Sequence, residues 1–362
     1  MTDALTRETS ANLLDLAGLG DLEALALIGL SKNAGKTTIL NHIITAWHET
    51  GQTRPLALTS IGRDGETEDI VSGRAKPRIY IPTGTLIASA EGALQRSDAL
   101  LEILELSNVR TAFGEVILCR ALSDGYVELA GPSVSDEIEV ITRLIRKHEP
   151  ESLFIIDGAL SRRSQAGSGG IEQIILAVSV GTSLVPDDLA EKTAHAVNLL
   201  QTPLIDEQKL QLLSAAIDEN PQARGILLSK GNERTHYKAV QLPSLVGFGQ
   251  EISKEIKKNT FLLFLGGAVT DHVVTELLKE AEFANLTLVV EDGTRLFLKP
   301  ETMRRLKHRH VLLGTLNALN VCLVCLNPTH PNGQTLESTP YLVALRQKIT
   351  TIPVIDLGPA NR

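Results

Sequence analysis

Cysteine is scarce in this sequence, and the few residues present do not form the pattern of a disulfide-bonded protein. The 362 residues include only three cysteines, Cys119, Cys322 and Cys325. Disulfide-dependent secreted domains carry several cysteine pairs, so this sequence is typical of a reducing compartment. Cys322 and Cys325 have C-x-x-C spacing, but they lie in the apolar run Val321–Leu326. Because no second pair accompanies them, we interpret them as small core residues of a strand.

Long apolar runs and an excess of positive charge are also missing. No apolar segment approaches the roughly 20 residues that a membrane span requires, and residues 1–10 are too polar for a secretory signal. We therefore expect a cytoplasmic protein with no membrane partner. The net charge is −8. Phosphate backbones select for clustered Lys and Arg, so we also expect no nucleic-acid partner. The 43% of apolar residues is enough to fill two ordinary cores.

The most informative stretch runs from Leu25 to Trp47. Leu25–Ile28 is an apolar run of the length of a buried strand, and Leu40, Ile44 and Trp47 follow at helical spacing. Between them lies the sequence Gly-Leu-Ser-Lys-Asn-Ala-Gly-Lys-Thr-Thr. A loop of this kind between a strand and a helix is typical of phosphate binding, because the helix N-terminus presents unpaired N–H groups with positive partial charge. The stretch predicts a nucleotide-binding loop.

The residue types in this loop predict the role of each position. Lys36 places a full charge near the β- and γ-phosphates and is the predicted catalytic group, while Thr37 can ligate Mg²⁺. The sequence contains no Asn-Lys-x-Asp motif for reading guanine, which favours ATP over GTP. The predicted cofactors are therefore ATP and Mg²⁺. The residues predicted to contact the phosphates are Gly29, Ser31, Lys32, Asn33, Ala34, Gly35, Lys36, Thr37 and Thr38.

Two carboxylates are candidates for the metal site. Asp157 ends the apolar run Ser152–Asp157, and a carboxylate at a strand tip can hold the water shell of Mg²⁺ opposite Thr37. Asp64 lies in the glycine-containing stretch Ile61–Glu66, which follows a predicted strand. It is predicted either to bind Mg²⁺ or to act in catalysis by orienting water. The alternative for Asp64 is a solvated side chain in a polar turn.

The order of apolar strands and amphipathic helices predicts an α/β fold with two domains. We interpret residues 1–20 as an N-terminal lead-in and residues 21–183 as a P-loop NTPase domain with a mostly parallel sheet. Residues 184–362 again alternate strand and helix without a second glycine-rich phosphate loop. They predict a second, C-terminal α/β domain.

Three local predictions bear on this arrangement. Leu100, Ile103 and Leu104 have helical spacing and predict a helix. The apolar run Ile171–Val180 is predicted to be the last strand of the first domain. The turn Asn327–Gly333 follows the carboxyl end of a predicted strand, which is where open α/β sheets bind ligands, and it is predicted to form a binding edge.

The spacing of the phosphate loop departs from its commonest form. Gly29 lies six residues before Gly35, one more than in G-x-x-x-x-G-K-[ST]. This longer loop resembles those of dethiobiotin synthetase and the cobyrinate amidotransferases, which belong to the dimeric nucleotide-switch branch of P-loop proteins. The resemblance implies a dethiobiotin-synthetase-like domain and also allows a homodimer.

The chain as a whole resembles the P-loop (ATPase) subunit of the reactivase for lysine 5,6-aminomutase and related ornithine aminomutase accessory proteins. The resemblance implies an ATP-driven chaperone that works with a second reactivase subunit. Such a chaperone releases damaged adenosylcobalamin from a cobalamin-dependent aminomutase, so that fresh cofactor can enter. The stretches that carry the resemblance, in the order of the family, are Gly29–Thr38, Thr59–Glu66, Gly131–Ser133, Ile156–Ala159, Gly267–Asp271 and Asn327–Gly333.

Two further functions stay open from the sequence. A biosynthetic ligase or synthetase of the dethiobiotin or cobyrinate type transfers the phosphate to a small carboxylate, and Lys32, Lys76 and Arg78 are candidates for the basic groups it needs. An amidotransferase also needs a nucleophilic Cys with a partnering His, and Cys322 and Cys325 within an apolar strand are poorly suited to that role. A nucleotide-bound assembly factor that barely hydrolyses ATP differs from the ATPase only in turnover.

Overall fold

The chain divides into two compact units that alternate along the sequence. Unit 1 comprises Met1–Ala196 and Asn320–Arg362, and unit 2 comprises Val197–Leu319. Unit 2 is therefore inserted between two parts of the unit 1 sequence. The computed structural model describes residues 13–61, 78–132, 135–158, 171, 173–231, 234–356 and 358.

Strands and helices alternate through most of the described chain. The strands are β1 (Ala24–Gly29), β2 (Leu56–Ser60), β3 (Ile79–Ile81), β4 (Leu86–Ala90), β5 (Leu101–Thr111), β6 (Gly114–Ala121), β7 (Gly125–Val127), β8 (Leu153–Asp157), β9 (Gln173–Ser179), β10 (Gly225–Lys230), β11 (Thr235–Val240), β12 (Thr260–Leu265), β13 (Val269–Thr270), β14 (Thr287–Val290), β15 (Leu296–Phe297), β16 (Leu312–Thr315), β17 (Asn320–Asn327) and β18 (Val354–Asp356). The α-helices are α1 (Lys36–Glu49), α2 (Glu91–Leu94), α3 (Ser135–His148), α4 (Pro186–Leu200), α5 (Glu207–Glu219), α6 (Gly249–Ser253), α7 (Asp271–Leu277), α8 (Pro300–His308) and α9 (Thr339–Lys348).

Unit 1 is built around a nine-stranded mixed sheet with the order β18-β17-β9-β1-β8-β2-β4-β6-β5. The strands from β18 to β4 are parallel, and the pair β6 and β5 is antiparallel at one edge. The parallel strands β1, β2 and β8 are buried along their whole length. A strand covered on both faces must be apolar throughout, which explains why each appears in the sequence as a continuous apolar run.

The helix α1 packs an apolar stripe against one face of this sheet. Ile39, Leu40, Ile43, Ile44 and Trp47 are buried, at the spacing that places them on one side of a helix. They join strand residues in one continuous hydrophobic core. The strand, loop and helix predicted from the sequence at this position are therefore present.

The helix predicted at Leu100–Leu104 is wrong. Ile103 and Leu104 lie in β5, which forms an antiparallel hairpin with β6, and Leu100 directly precedes it. The pairing register shifts between Ile103 and Glu105, so Leu104 is an extra residue on the β5 side. This bulge interrupts the two-residue alternation of a strand. The apolar residues consequently fall at intervals that imitate a helix.

The domain boundaries differ from those predicted at residues 183 and 184. The run Ile171–Val180 contains β9, but β9 is not the last strand of unit 1, because β17 pairs with it in parallel from Asn320 to Asn327. β18 then extends the same sheet beyond β17. In the sequence, β17 is one more apolar run, and the residues near it do not indicate which of the two sheets the strand joins.

The N-terminal residues that the structure describes belong to unit 1 rather than to a separate lead-in. Leu13, Leu14, Ala17 and Leu19 are buried and contribute to the same core as α1. Burial of this kind fixes the segment by hydrophobic contact. The described part of residues 1–20 is thus a component of the unit 1 fold.

Unit 2 has a five-stranded mixed sheet with the order β11-β10-β12-β14-β16. β12, β14 and β16 are parallel, whereas β10 is antiparallel to both of its neighbours. Its core is separate from that of unit 1 and includes residues of α7 and α8. An α/β composition is therefore present in both units. Among the described residues, no helix combines the length and the apolar character needed to cross a bilayer.

Candidate functional site

The Gly29–Thr38 segment lies at the carboxyl edge of the unit 1 sheet. β1 lies between β8 and β9 in the sheet. On one side the strand order continues from β8 to β2 and β4, and on the other side it continues from β9 to β17 and β18. Open α/β sheets bind ligands at such a switch in strand order, because the loops that follow neighbouring strands separate and leave a crevice. The segment stays joined to β9 by a hydrogen bond from the Leu30 N–H to the Ala177 carbonyl of 2.9 Å.

The first half of the segment turns back tightly on Gly29. A Cβ added to Gly29 would lie 3.1 Å from the Ala34 Cβ and 3.1 Å from the Ser31 carbonyl oxygen. It would also lie 3.5 Å from the Lys36 Cδ, so the lysine side chain folds back toward the end of β1. The loop therefore curls over a position where only glycine fits without displacement.

The second half of the segment leads into α1, whose N-cap residue Gly35 provides no side-chain cap. Gly35 precedes α1 with a φ of 102°, in the left-handed region that glycine adopts without strain. Among the described residues, no side chain caps this helix, and its first turn carries no acidic residue. The N–H groups of a first helical turn have no intrahelical acceptor and carry positive partial charge. Lys36, Thr37 and Thr38 occupy this turn and are half-buried. The arrangement suits an anion.

The other predicted loop residues take different positions. The Ala34 side chain is buried in the hydrophobic core, so only its backbone faces the loop. Asn33 adopts a φ of 60°, which asparagine tolerates better than most residues. Lys32 and Asn33 are exposed. Ala34 thus attaches the segment to the hydrophobic core, while Lys32 and Asn33 remain accessible to solvent.

Asp157 ends β8 beside this loop. In the parallel register it lies opposite Leu27 of β1 and opposite Ser60 of β2. The Asp157 backbone carbonyl accepts a hydrogen bond of 2.8 Å from the Ile61 N–H, and Asp157 is buried. The sheet therefore places the Asp157 carboxylate at the same edge as Gly29, on the neighbouring strand.

The end of β17 contacts the loop from the other side. A Cβ on Gly35 would lie 3.1 Å from both the Cβ and the Nδ2 of Asn327. The Asn327 amide donates to the Asn33 carbonyl at 3.5 Å, and its Oδ1 accepts from the Thr329 N–H at 3.0 Å. Asn327, the first residue of the predicted binding edge Asn327–Gly333, therefore contacts the Gly29–Thr38 segment.

A shallow recess opens between the first turn of α1 and the ends of β17 and β18. Apolar and small side chains form most of its wall, and the Asn327 amide adds a polar edge. Gly358 also lines the recess, and its N–H donates to the Asp356 Oδ1 at 2.7 Å. The lining residues are Ala34, Gly35, Thr38, Ile39, Cys325, Leu326, Asn327 and Gly358.

Two other loops are joined to the site by hydrogen bonds. The Thr182 hydroxyl, in the loop after β9, donates to the Ser31 hydroxyl at 3.0 Å. At the end of β2, the Ser60 hydroxyl accepts from the Gly131 N–H at 3.0 Å. A Cβ on Gly131 would lie only 1.8 Å from the Ser60 carbonyl, so this approach requires glycine. Gly131, the first residue of the Gly131–Ser133 motif, thus makes a close backbone contact with the end of β2.

Not every predicted site residue can be placed. Asp64 and Lys76 lie outside the described residues. Within the described ranges, no group of three or more His, Cys, Asp or Glu side chains gathers as a metal cluster. Arg78, a candidate acceptor-binding group, stacks its guanidinium 5.0 Å from the Tyr126 ring centre and pairs with Asp98 at 3.5 Å.

The cysteines have the environment of core residues. Burial raises the pKa of the Cys119 thiol and of the Cys322 thiol to about 11 each, and it raises the pKa of Cys325 as well. Cys322 donates its S–H to the Ile174 carbonyl, with a sulfur to oxygen distance of 3.3 Å. A thiol that stays protonated is a poor nucleophile and metal ligand. These features agree with their interpretation as small residues of a buried strand.

Two residues of this edge escaped the sequence reasoning as individual side chains. Asn327 appeared only as the first residue of a turn, and Thr182 was not singled out. Asn327 is the last residue of β17, and Thr182 lies three residues after the end of β9. A polar side chain at the carboxyl end of a parallel strand is the signal that points to both.

Comparison with known proteins assigns no family to the chain. No protein family model, curated protein or solved structure matches it. The described residues at the carboxyl edge of the unit 1 sheet therefore carry the functional inference.

Proposed function

We propose that this chain is a P-loop ATPase that binds Mg-ATP at the Gly29–Thr38 segment. The observation that carries the proposal is the uncapped N-terminus of α1 directly after Gly35, with the Lys36 side chain folded back toward Gly29. Backbone N–H groups at a helix N-terminus, together with a lysine, are the usual means of holding nucleotide phosphates. The longer loop supports the dethiobiotin-synthetase-like branch of these proteins.

The residues of the site fit Mg-ATP by their chemistry. The Thr37 hydroxyl and the Asp157 carboxylate are oxygen donors of the kind that Mg²⁺ prefers, and each stands at the same edge of the sheet. Lys36 stabilises the negative charge that develops during phosphoryl transfer, and Asp64 is proposed to orient water or to bind the metal. Bound Mg-ATP supplies a transferable phosphoryl group whose charge the metal partly neutralises.

The proposed role of ATP turnover is to reactivate a cobalamin-dependent aminomutase, together with a second reactivase subunit. The resemblance of six sequence stretches to the reactivase family supports this part of the proposal. The phosphate loop is also bonded to the loops that follow β9 and β17 through Thr182 and Asn327. A nucleotide that alters this loop can therefore bias the surface segments attached to it. With three free cysteines, the proposed compartment is the cytoplasm.

A biosynthetic ligase is the second candidate, and one contact weighs against it. Such an enzyme needs basic side chains that hold the acceptor carboxylate near the γ-phosphate. Arg78 is instead engaged by the Tyr126 ring and by Asp98. The ATPase is therefore the better supported of the two functions.

The first experiment measures magnesium-dependent ATP turnover and ATP binding of the purified chain. We expect Lys36→Ala to abolish turnover while the protein stays folded, because the lysine contacts the phosphates directly. Asp157→Asn is expected to reduce turnover and weaken its magnesium dependence. Lys192→Ala is the control, since Lys192 is an exposed lysine paired with Asp188. Unchanged ATP binding in Lys36→Ala, measured by calorimetry, would refute the P-loop assignment.

The partner role is tested in the same assay. The chain is mixed with its second subunit and an inactivated adenosylcobalamin-dependent aminomutase, and both ATP turnover and recovered mutase activity are followed. Stimulated turnover with restored activity supports the reactivase function. Turnover that ignores the inactivated enzyme favours the ligase, and small carboxylates are then screened as acceptors. Equal partner affinity in ADP and in a non-hydrolysable ATP analogue would exclude a nucleotide switch.

A further inference from the structure

Unit 2 carries a concentration of positive charge that the acidic composition of the chain does not suggest. The stretches 230–238 and 254–258 together hold six Lys and Arg residues against two Glu residues, whereas the whole chain has 35 Lys and Arg against 43 Asp and Glu. All six cationic residues are exposed. We call them the basic patch, and its members are Lys230, Arg234, Lys238, Lys254, Lys257 and Lys258.

Backbone contacts at the end of β10 join the two stretches. The Lys230 N–H donates to the Asn259 carbonyl at 3.0 Å, and the Asn259 side-chain amide donates to the Lys230 carbonyl at 2.8 Å. Arg234 lies close by, because the Gly231 N–H donates to the Arg234 carbonyl at 3.0 Å. The end of the β10–β11 hairpin and the connection from α6 to β12 are therefore neighbours.

The side of the sheet that faces α6 also carries Lys238. Lys238 of β11 lies opposite Leu227 of β10, so both side chains stand on one side of the sheet. Leu227 belongs to the same core as Ile252 of α6 and Ile256, which follows that helix. Lys238 accordingly reaches Glu255 and forms an ion pair with it.

Glu255 is the one acidic residue of stretch 254–258, and its charge is taken up within the patch. The hydrogen bond from Lys238 holds the pKa of the Glu255 carboxyl below its usual value, and the nearby charge of Lys257 lowers that pKa further. The Lys257 Nζ also donates to the Lys254 carbonyl at 3.0 Å. Among the described residues, no carboxylate oxygen lies within 4.0 Å of a cationic nitrogen in the other five members of the patch. The patch therefore presents a surplus of positive charge to solvent.

We propose that the basic patch is the docking surface for a carboxylate-rich segment of another polypeptide. Like charges held close together repel one another, and an anionic occupant removes that repulsion. Charge complementarity of this kind also steers the encounter and selects the partner. The cations come from a strand, a hairpin end and a helix end that are fixed to each other by hydrogen bonds, so the occupant meets a preformed surface.

The side chains of the patch favour carboxylates over nucleic acid. Five of the six members are lysines, whose ammonium group is a compact point charge, whereas arginine supplies the planar fork that suits phosphate. Tyr237 is the one Phe, Tyr or Trp residue in the two stretches. It lies opposite Leu228, on the other side of the sheet, where its hydroxyl donates to Glu219. The patch thus supplies none of these rings for the stacking of bases.

The rest of the chain favours a short occupant. The net charge is −8 even with the patch included. A long phosphate backbone would therefore meet residues of its own sign beyond the patch, whereas a short acidic segment does not. The patch belongs to unit 2 and the proposed ATP site belongs to unit 1. Docking is thus expected whether or not the chain hydrolyses ATP.

Fluorescence anisotropy of labelled decaglutamate, titrated with the full chain, tests the proposal. The titration begins at about 50 mM salt, where exposed charges are weakly screened, and we expect saturable binding that weakens as salt is raised. The triple variant is expected to bind at least about tenfold more weakly, because three surface ion pairs are lost. Its substitutions are Lys254→Gln, Lys257→Gln and Lys258→Gln.

A second triple variant is the matched control, since it removes the same charge from exposed lysines outside the patch. It is expected to change the affinity less than about twofold, because distant surface charges are screened. Its substitutions are Lys299→Gln, Lys307→Gln and Lys348→Gln. Equal loss of affinity in the two triple variants would mean that only net charge matters, and this result overturns the proposal.

Competition identifies the class of occupant. Unlabelled decaglutamate is expected to displace the probe, whereas decathymidylate and phosphatidylserine vesicles, each at the same concentration of charge, are expected to displace it less. Stronger displacement by decathymidylate would overturn the proposal in favour of a nucleic-acid site. Stronger displacement by the vesicles would overturn it in favour of a membrane surface. A wild type that does not bind decaglutamate at low salt also refutes it.

Discussion

Gly35 combines two constraints that a single side-chain carbon would violate. Its φ of 102° is strained for any residue with a Cβ, at a cost of about 1–2 kcal/mol. The space that a Cβ would need is also taken by Asn327 at 3.1 Å. The position therefore requires glycine for backbone and for packing reasons at once.

We predict that Gly35→Ala weakens ATP binding by more than about tenfold, since 1.4 kcal/mol corresponds to tenfold. Gly51→Ala is the control, because Gly51 also has a positive φ of 69° but would meet no atom within 4 Å. Calorimetric titration with Mg-ATP, alongside thermal unfolding, distinguishes the two. If Gly35→Ala and Gly51→Ala bind ATP equally, the contact with Asn327 has no part in shaping the loop.

His42 on α1 gives a prediction about pH. Burial lowers the pKa of His42 below its usual value of 6.5. The unfolded chain therefore takes up this proton at a higher pH than the folded chain. The free energy of unfolding is expected to decrease as the pH falls from about 6.5 to the folded-state pKa. Below that pH, His42 is protonated in both states and the free energy of unfolding no longer changes because of it.

Urea unfolding at pH 7.5 and at pH 5 tests this. His42→Gln is expected to lose part of the acid sensitivity of the wild type, because it removes the group that must be charged. His48→Gln, at the exposed end of the same helix, is the control. Equal loss of stability on acidification in the wild type and in His42→Gln would contradict the prediction.

At the scale of elements, the Thr182 hydroxyl in the loop after β9 donates a hydrogen bond to the Ser31 hydroxyl in the Gly29–Thr38 segment. Thr182→Val keeps the shape of the side chain but removes the donor to Ser31. A hydrogen bond of this type contributes about 0.5–1.5 kcal/mol. We therefore predict an ATP affinity about two- to tenfold weaker.

Thr142→Val provides the comparison for this variant. The Thr142 hydroxyl donates to the Ile138 carbonyl at 2.8 Å within α3, so this substitution also removes one hydrogen bond while leaving the loops unchanged. Titration with Mg-ATP is expected to separate the two variants. Identical affinities would mean that the loop after β9 does not support the nucleotide site.

The elements that the sequence predicts well are those whose pattern is purely local. β1, β2 and β8 are continuous apolar runs because they are buried on both faces, and α1 has an uninterrupted helical stripe. The prediction of a helix at β5 was wrong for an equally local reason, because the extra residue Leu104 changes the spacing of the apolar side chains along the strand. A bulge cannot be recognised before the partner strand is known.

At the scale of the whole molecule, the position of β17 could not be read from the sequence. Its apolar run predicts a strand, but the choice between the two sheets depends on contacts far along the chain. The same holds for Asn327, which lies 294 residues from the Asn33 carbonyl that it contacts. Contacts within the Gly29–Thr38 loop join residues that are close in the sequence, whereas the contact of Asn327 with Asn33 joins residues that no local pattern connects.

This arrangement predicts how fragments behave. A fragment of residues 197–319 contains a complete sheet and its own core, so we expect a single cooperative unfolding transition. In a fragment of residues 184–362, β17 and β18 lack β9. Hydrogen exchange is then expected to show protection in unit 2 and rapid exchange at residues 320–327. Protection of those residues equal to that in the full chain would contradict the assignment of β17 to unit 1.

The return of β17 to the first sheet has a consequence for synthesis on the ribosome. Asn33 leaves the ribosome long before Asn327, which follows 294 residues later. At about 5–20 residues per second, the interval is roughly 15–60 s. β9 is synthesised roughly midway through this interval, and its edge stays open from then until β17 follows. The Gly29–Thr38 loop is therefore translated early but gains its contact with Asn327 only near the end of synthesis.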